Sequence, residues 1–480
     1  MTQPMRRRVA VIGGGVAGLA AIVRLHDLAS SQERPLEMTL FEASPRLGGI
    51  VGTRSLAGYR VETGADSFIT NKPWAVALCR RLGLEERLIP TDERYRRSLV
   101  LRRGTPVAVP DGFQLLAPVD VGAVLKSPIF SWRGKLRMAL EYLLPRGGTD
   151  QPDESLAHFV RRRFGREALD RLVQPLVGGI YTSDPERLSL RATMPRFLEM
   201  EREHRSLIRA LRRQAGGEPA ASGARYGLFT TPRNGISELI DTLAALVSHV
   251  GTVRLDTPIA RLTRGDTASI VVEPVRGEPL AFDAVIVATP AYAAADLISP
   301  LSSAGAAPLR RIEYASTAIV VSGHRLSDVQ HPLDAFGLVV PAIERRKILA
   351  VSFTSRKFPD RAPAGCVQLR TFVGGAMQPE LMQLSDDQIV GIVRSELESI
   401  LGVTWRPDFT LVARWNRSMP QYHVGHLELV AQIERELEAL PRLALAGSAY
   451  HGVGLPDSIH SGELAAERVF AVLGGIPPKG

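Results

Sequence analysis

Two cysteines, Cys79 and Cys366, stand alone in 480 residues. They form no CxxC pair and no metal-ligand spacing, so neither a zinc nor an iron–sulfur site is expected. Both read as reduced structural thiols of a cytosolic protein. Long apolar runs are missing too. The longest candidate, 284–295, is shorter than the about 18 residues of a membrane span, and Thr289 and Pro290 interrupt it. The start, MTQPMRRRVAVIGGGVAGLAA, mimics a secretory signal, but its three consecutive glycines fit a strand-to-helix turn better. Acidic residues are in deficit, 50 against 59 basic, for a net charge of +9. That balance suits acidic small molecules or an anionic membrane surface. Nucleic acid would fit the charge as well but is not expected as a partner. Finally, no His/Asp/Glu constellation stands out. His423, His426 and His451 read as structural, and no catalytic acid–base residue and no metal ligand is assigned.

What the chain does have is glycine at a strand-to-helix turn. RVAVIGGGVAGLAAIVRL reads as a buried strand, a turn and a helix, with Gly13, Gly15 and Gly18 in GxGxxG spacing. The first glycine permits the tight turn, the second a close backbone approach to a pyrophosphate, the third close packing of helix on strand. The stretch Gly13 to Gly18, with Gly14, Val16 and Ala17 inside it, is the expected pyrophosphate site, facing the positive end of the helix. The spacing alone is a weak signal, and its context strengthens it. Val9 to Ile12 is continuously apolar, as a buried parallel strand requires. EMTLFEAS then ends a second strand in Glu42, 24 residues after Gly18, about where a ribose-binding carboxylate belongs.

The loop after Glu42 decides which dinucleotide. It holds Ala43, Ser44, Arg46, Gly48 and Gly49. A plain NAD domain has no use for an arginine and two glycines there, whereas a loop running along a pyrophosphate toward a flavin does. VETGADSF follows, with Gly64, Ala65, Asp66 and Ser67, and Gly64 suits a second close approach to the ring. FAD is therefore expected. Val253, in the short strand TVRL, is counted with the cofactor-binding residues.

Near the other end, LALAGSAYHGVGLPDSIHSG repeats the pattern of strand, glycine loop and helix. Gly452 and Gly454 give GxG, but Asp457 stands where the third glycine would be, and too little chain follows for a ribose acid. This stretch is thus the second half of the first site. Gly447, Val453, Gly454 and Leu455 are expected against the isoalloxazine ring. The helix opening at Pro456 would aim its N-terminus at the charge of the reduced flavin. Between the halves, SWRGKLRMALEYLLP puts Trp132, Leu136, Ala139, Leu140, Leu143 and Leu144 on one helical face. Two readings stand: a membrane-interface helix, or a helix packed on the protein's own core.

VAVIGGGVAGLAA, EASPRLGG, MEREHRSLI, AFGLVVP and AGSAYHGVGLPDSIHSG, spread in order over nearly the whole chain, resemble the protoporphyrinogen oxidase family. These are oxygen-dependent, FAD-containing enzymes of haem synthesis, and Gram-positive members oxidise coproporphyrinogen instead. The resemblance implies an α/β protein with a Rossmann-type FAD-binding domain of the amine-oxidase type, built from 1–92, 225–295 and 440–480. It adds a mostly helical, membrane-associated domain at 93–224 and an α+β substrate domain at 296–439. The implied reaction is the six-electron oxidation of protoporphyrinogen IX to protoporphyrin IX, through FAD to dioxygen, with hydrogen peroxide as by-product. Oxidation of coproporphyrinogen III, or another amine-oxidase-type reaction, is the alternative. By motif, Phe336, Gly337 and Val339 would line the substrate pocket, with Phe372 of TFVGG. Two departures matter. Ser98, preceded by Arg97, stands where many members carry an arginine for a substrate propionate, so Arg97 and Ser98 are both pocket candidates. Gly447-Ser448 replaces the usual Gly-Asp. The expected location is cytoplasmic; peripheral membrane contact, a homodimer and hand-over to the next enzyme of haem synthesis are left open.

Overall fold

The computed structural model describes residues 6–147, 153–214, 229–266 and 269–474. The low-complexity stretch 215–225, and with it the expected boundary near 224, lies outside them. Val9 to Ile12 are buried on both faces because their strand, Arg7–Ile12, is central. It sits third in a five-stranded parallel sheet ordered Thr252–Arg254, Leu36–Phe41, Arg7–Ile12, Ala284–Val287, Leu443–Leu445. The sheet thus takes its strands from three distant parts of the chain. One face is covered by the helices Val16–Ser31, Ser237–Val250 and Leu455–Leu473. The first and last of these cross closely. A Cβ on Gly462 would stand 2.1 Å from the Ala17 carbonyl oxygen, so only glycine permits the contact. The other face packs on the helix Ala291–Ile298 and a small antiparallel sheet of three strands.

A second sheet has seven strands, ordered Phe409–Pro420, Tyr314–Arg325, Cys366–Gly374, Ala350–Phe353, Gly337–Val339, Ser98–Arg102, Thr105–Ala108. All neighbours run antiparallel except Gly337–Val339 with Ser98–Arg102. Reading 93–224 as mostly helical therefore needs correction at its start. Residues 98–108 are a hairpin that ends this sheet, closed by Arg103 and Gly104 at φ +51° and +78°. Two positive φ values are what a tight, right-twisted hairpin demands. The helix Asp386–Leu401 buries one face of the sheet. The opposite face presents alternate residues Gln368, Arg370 and Phe372 toward the first sheet's loops.

The helical part surrounds its own apolar core. At its centre is a buried ion network. The Arg163 guanidinium pairs with Glu141 and reaches Glu201 at 3.3 Å. Glu141 also accepts from Ser206 Oγ at 2.6 Å and Leu207 N at 2.8 Å. Arg162 joins Glu201 to Glu154. Of the amphipathic segment, Gly134, Met138 and Glu141 face inward. Trp132, Leu136 and Leu143 are 77%, 67% and 68% exposed, so this face does not pack on the protein's own core.

Candidate functional site

The three glycines of the first turn divide their work. Gly13 sits at φ +108°, and a Cβ there would lie 2.6 Å from the Ala288 carbonyl oxygen. A Cβ on Gly18 would lie 1.9 Å from the Gly13 carbonyl oxygen. Both positions are closed to side chains by packing. Around Gly15 a Cβ would meet nothing within 4 Å, so this is the face a ligand can approach. The helix Val16–Ser31 begins at Gly15 without a side-chain cap, which leaves the N–H groups of Val16, Ala17 and Gly18 for an anion. Glu42, at the end of the next strand, accepts from Gly14 N at 2.6 Å and Ser44 N at 2.8 Å. It fixes the turn against the loop that starts at Ala43. Val253 pairs with Leu40 on the adjoining edge strand.

That loop lies on the turn. Gly48 N donates to Gly14 O at 2.8 Å, and a Cβ on Gly49 would be 3.4 Å from Gly15 Cα. Arg46 donates to the carbonyls of Leu47, Gly49 and Val51 at 3.1, 2.5 and 3.0 Å. The guanidinium ties the loop and places a positive charge on it. Gly64 comes next, and a Cβ there would lie 1.9 Å from the Ile50 carbonyl oxygen. Its close approach, expected at the ring, is to the backbone of this loop. Ala65, Asp66 and Ser67 continue the segment at its half-buried edge.

The C-terminal turn completes the frame. Gly447 has φ +126° and donates from its N to Ser461 Oγ at 3.0 Å. The helix Leu455–Leu473 starts at Gly454, again without a side-chain cap, with Pro456 in its first turn. Asp457, the residue in place of a third glycine, pairs with Lys72 at 2.5 Å. The loop between is held by a residue that sequence reasoning missed. Tyr422 Oη accepts from Gly452 N and donates to Ser448 O, both at 2.7 Å. Its ring stacks at 3.9 Å on His426, whose Nε2 lies 3.1 Å from the Tyr450 carbonyl oxygen. Burial pushes His426 down to about 4, so it is neutral and donates from Nε2. His451 meets Glu434 at 3.0 Å and His423 meets Glu313 at 3.7 Å. Each of the three histidines thus has a hydrogen-bond or ion-pair partner within the protein.

The seven-stranded sheet gathers most of the pocket candidates. Gly337 pairs with Ser98 and Val339 with Val100. Phe336 is buried and donates from its N to Arg97 O at 2.9 Å. Gly337 allows close strand packing, since a Cβ would stand 2.4 Å from the Val351 carbonyl oxygen. Phe372 pairs with Ile319 on one side and Ala350 on the other. Val339 and Val453 both pack against the core of the helical part. Sheet, C-terminal loop and helices therefore converge. Ser98 is buried in its strand. The Arg97 guanidinium is engaged by the side chain and carbonyl of Asp334. Among the described residues, no group of His, Cys, Asp and Glu could hold a metal ion.

Two helix N-termini start at glycines without side-chain caps, and a seven-stranded sheet stands beside them. That is the layout of a flavin-dependent oxidoreductase with FAD as its cofactor. The residues fit the group: Gly15 to Gly18 and Glu42 would hold pyrophosphate and ribose, and 447–455 the ring. Residues 16–470 match the family described as flavin containing amine oxidoreductase, and the chain belongs to it, in the branch of the porphyrinogen oxidases. It is 34% identical over 98% of its length to a coproporphyrinogen III oxidase of Bacillus subtilis (strain 168), covering 99% of that protein. It is 29% identical over 97% of its length to protoporphyrinogen oxidase 2, chloroplastic/mitochondrial, of Arabidopsis thaliana, covering 94% of that protein. A solved structure from Exiguobacterium sp. 255-15, provisionally described as a protoporphyrinogen oxidase, matches with a TM-score of 0.85 and 28% identity, over 96% of this chain and 98% of that one.

Proposed function

We propose that the protein oxidises coproporphyrinogen III to coproporphyrin III with dioxygen, in porphyrin and haem synthesis. The observation that carries this reading is the relatives' order. Coproporphyrinogen III oxidases match at 34%, 33% and 31% identity over nearly their full lengths, ahead of the plant protoporphyrinogen oxidase at 29%. The sequence reading put protoporphyrinogen IX first; that substrate is the second reading. Serine at position 98 goes the same way, because by the resemblance the Gram-positive, coproporphyrinogen-oxidising members tend toward serine there.

Bound FAD would supply the redox chemistry, two-electron transfer from the methylene bridges of the substrate to dioxygen. Each porphyrinogen loses six hydrogens, and three dioxygen molecules become three of hydrogen peroxide. The chain's own part is to hold a flat apolar macrocycle and exclude water, for which Val339, Phe372 and Val453 supply an apolar wall. The helix start at Gly454 faces negative charge with free N–H groups. No side-chain acid or base is required, since pyrrole nitrogens can release the protons. Oxygen uptake by the FAD-loaded protein is the test. Uptake is expected with coproporphyrinogen III, in excess of that with protoporphyrinogen IX. The reverse preference would establish the second reading, and uptake with neither would refute both.

We infer also that the exposed face of residues 125–143 rests on an anionic bilayer surface. Leu125, Trp132, Leu136, Leu140 and Leu143 form it, with Lys126, Arg133 and Lys135 around them. An apolar face with a basic rim suits the headgroup boundary. Among the described residues no helix is long and apolar enough to cross a membrane. The protein is expected to float with phosphatidylserine vesicles, and a Leu136→Glu/Leu143→Glu variant to stay behind. Equal flotation of the two would remove the assignment.

A further inference from the structure

The segment VETGADSF holds two acids, Glu62 and Asp66, and porphyrinogen oxidation assigns Asp66 no task. In the folded chain its side chain, 13% exposed, is the centre of a largely buried ion cluster. Lys357 Nζ lies 3.0 Å from its Oδ1 and donates to Ser67 Oγ at 2.8 Å. Arg370 Nη1 lies 3.1 Å from its Oδ2, while Nη2 donates to the Gly64 carbonyl. Arg370 is 2% exposed, and its guanidinium sits 5.5 Å from the centre of the Phe372 ring. Both cations come from the seven-stranded sheet region. They reach across to the backbone that rests on the 48–52 loop, which in turn rests on the pyrophosphate turn.

The charges do not cancel. Burial opposes ionisation of Asp66, but Lys357 and Arg370 outweigh it and hold the carboxyl well below its usual range. Two cations therefore face one carboxylate. The neighbouring groups do not restore balance. Arg361, fully buried, donates to the carbonyls of Arg233 and Pro232. Glu62, also buried, is pushed up to about 7 by desolvation and is an incomplete counter-charge at neutral pH. A buried surplus of positive charge is costly unless negative charge is brought to it. A reduced flavin brings one.

We propose that Asp66, Lys357 and Arg370 set the reduction potential of the bound flavin. The positive surplus favours the reduced, anionic form, and Asp66 trims that surplus. They are positioning and potential-setting residues, not catalytic ones, because none is placed against substrate. The inference rests on FAD alone and is indifferent to which porphyrinogen is oxidised.

The experiment is the midpoint potential of the FAD-loaded full chain, measured by equilibration with a reference dye. Lys357→Met removes one positive charge and keeps the apolar stem. It is expected to lower the equilibrium constant for flavin reduction at least tenfold, about 30 mV for a two-electron couple. Asp66→Asn is expected to raise it by a similar factor, and Lys357→Arg to leave it near the wild type. Opposite signs are the signature, since simple loosening of the fold would move both variants alike. Shifts of one sign, or none, would overturn the proposal. Lys357 stands at the edge of the cluster, so Lys357→Met against Lys357→Arg decides the matter alone if Asp66→Asn does not retain FAD.

Discussion

Glu141→Ala is expected to destabilise the helical part by roughly 3–5 kcal/mol, the usual consequence of removing one partner of a buried ion pair. Glu141 is wholly buried and Arg163 is 1% exposed. Alanine would leave the Arg163 guanidinium with Glu201 as its remaining carboxylate, and Glu201 is already shared with Arg162. It would also strip Ser206 Oγ and Leu207 N of their acceptor. The start of the helix Leu207–Gln214 would be loosened with it. Because the chain has several cores, the measurement should be local: limited proteolysis between residues 140 and 214, followed over urea. A loss below about 1 kcal/mol would mean that water already solvates the pair. The double variant Glu141→Leu/Arg163→Met is expected to recover much of the loss, since replacing both charges removes the unpaired one.

How far the sequence told this in advance depended on the distance over which residues interact. The two glycine turns were legible because each is a local device: strand, tight turn and helix start lie within about twenty residues. Their union into one site was legible from what the second turn lacks, a third glycine and a ribose acid. Gly64 was half-legible. Its need for glycine shows in VETGADSF, but what approaches it, the Ile50 carbonyl, depends on loop stacking. The hairpin 98–108 was hidden among arginines that suggest a solvated helical segment. Its partner strand, Gly337–Val339, lies far along the chain. Tyr422, Lys357 and Arg370 carried no local signal at all. Arg370 meets Gly64 from 306 residues away, and nothing around either residue announces the other. The segment 131–145 showed an apolar stripe by periodicity, yet periodicity cannot say whether core or solvent receives it. The buried Gly134, Met138 and Glu141 turn the stripe outward.

Gly454→Asp is expected to abolish FAD binding while leaving the apoprotein folded. The argument lies in the helix start. Gly454 is the N-cap of Leu455–Leu473 and offers no side chain, so the first N–H groups of that helix are free. Aspartate is among the best N-cap residues, and its carboxylate would accept from the Asp457 N–H, since Pro456 has none to give. The helix itself would gain only about a few tenths of a kcal/mol, since glycine is already a tolerable cap. The gain is directed against the cofactor. That N–H would be taken, and a fixed negative charge would stand where reduced flavin would place its own. A Cβ at 454 would also lie 2.9 Å from Asp457 Oδ2, bringing two carboxylates together. The readouts separate the two effects: the thermal midpoint of apoprotein, expected to hold, and flavin absorbance retained after gel filtration, expected to vanish. A variant that keeps FAD at wild-type stoichiometry would place the ring elsewhere. One that unfolds as apoprotein would show that position 454 serves packing before it serves the cofactor.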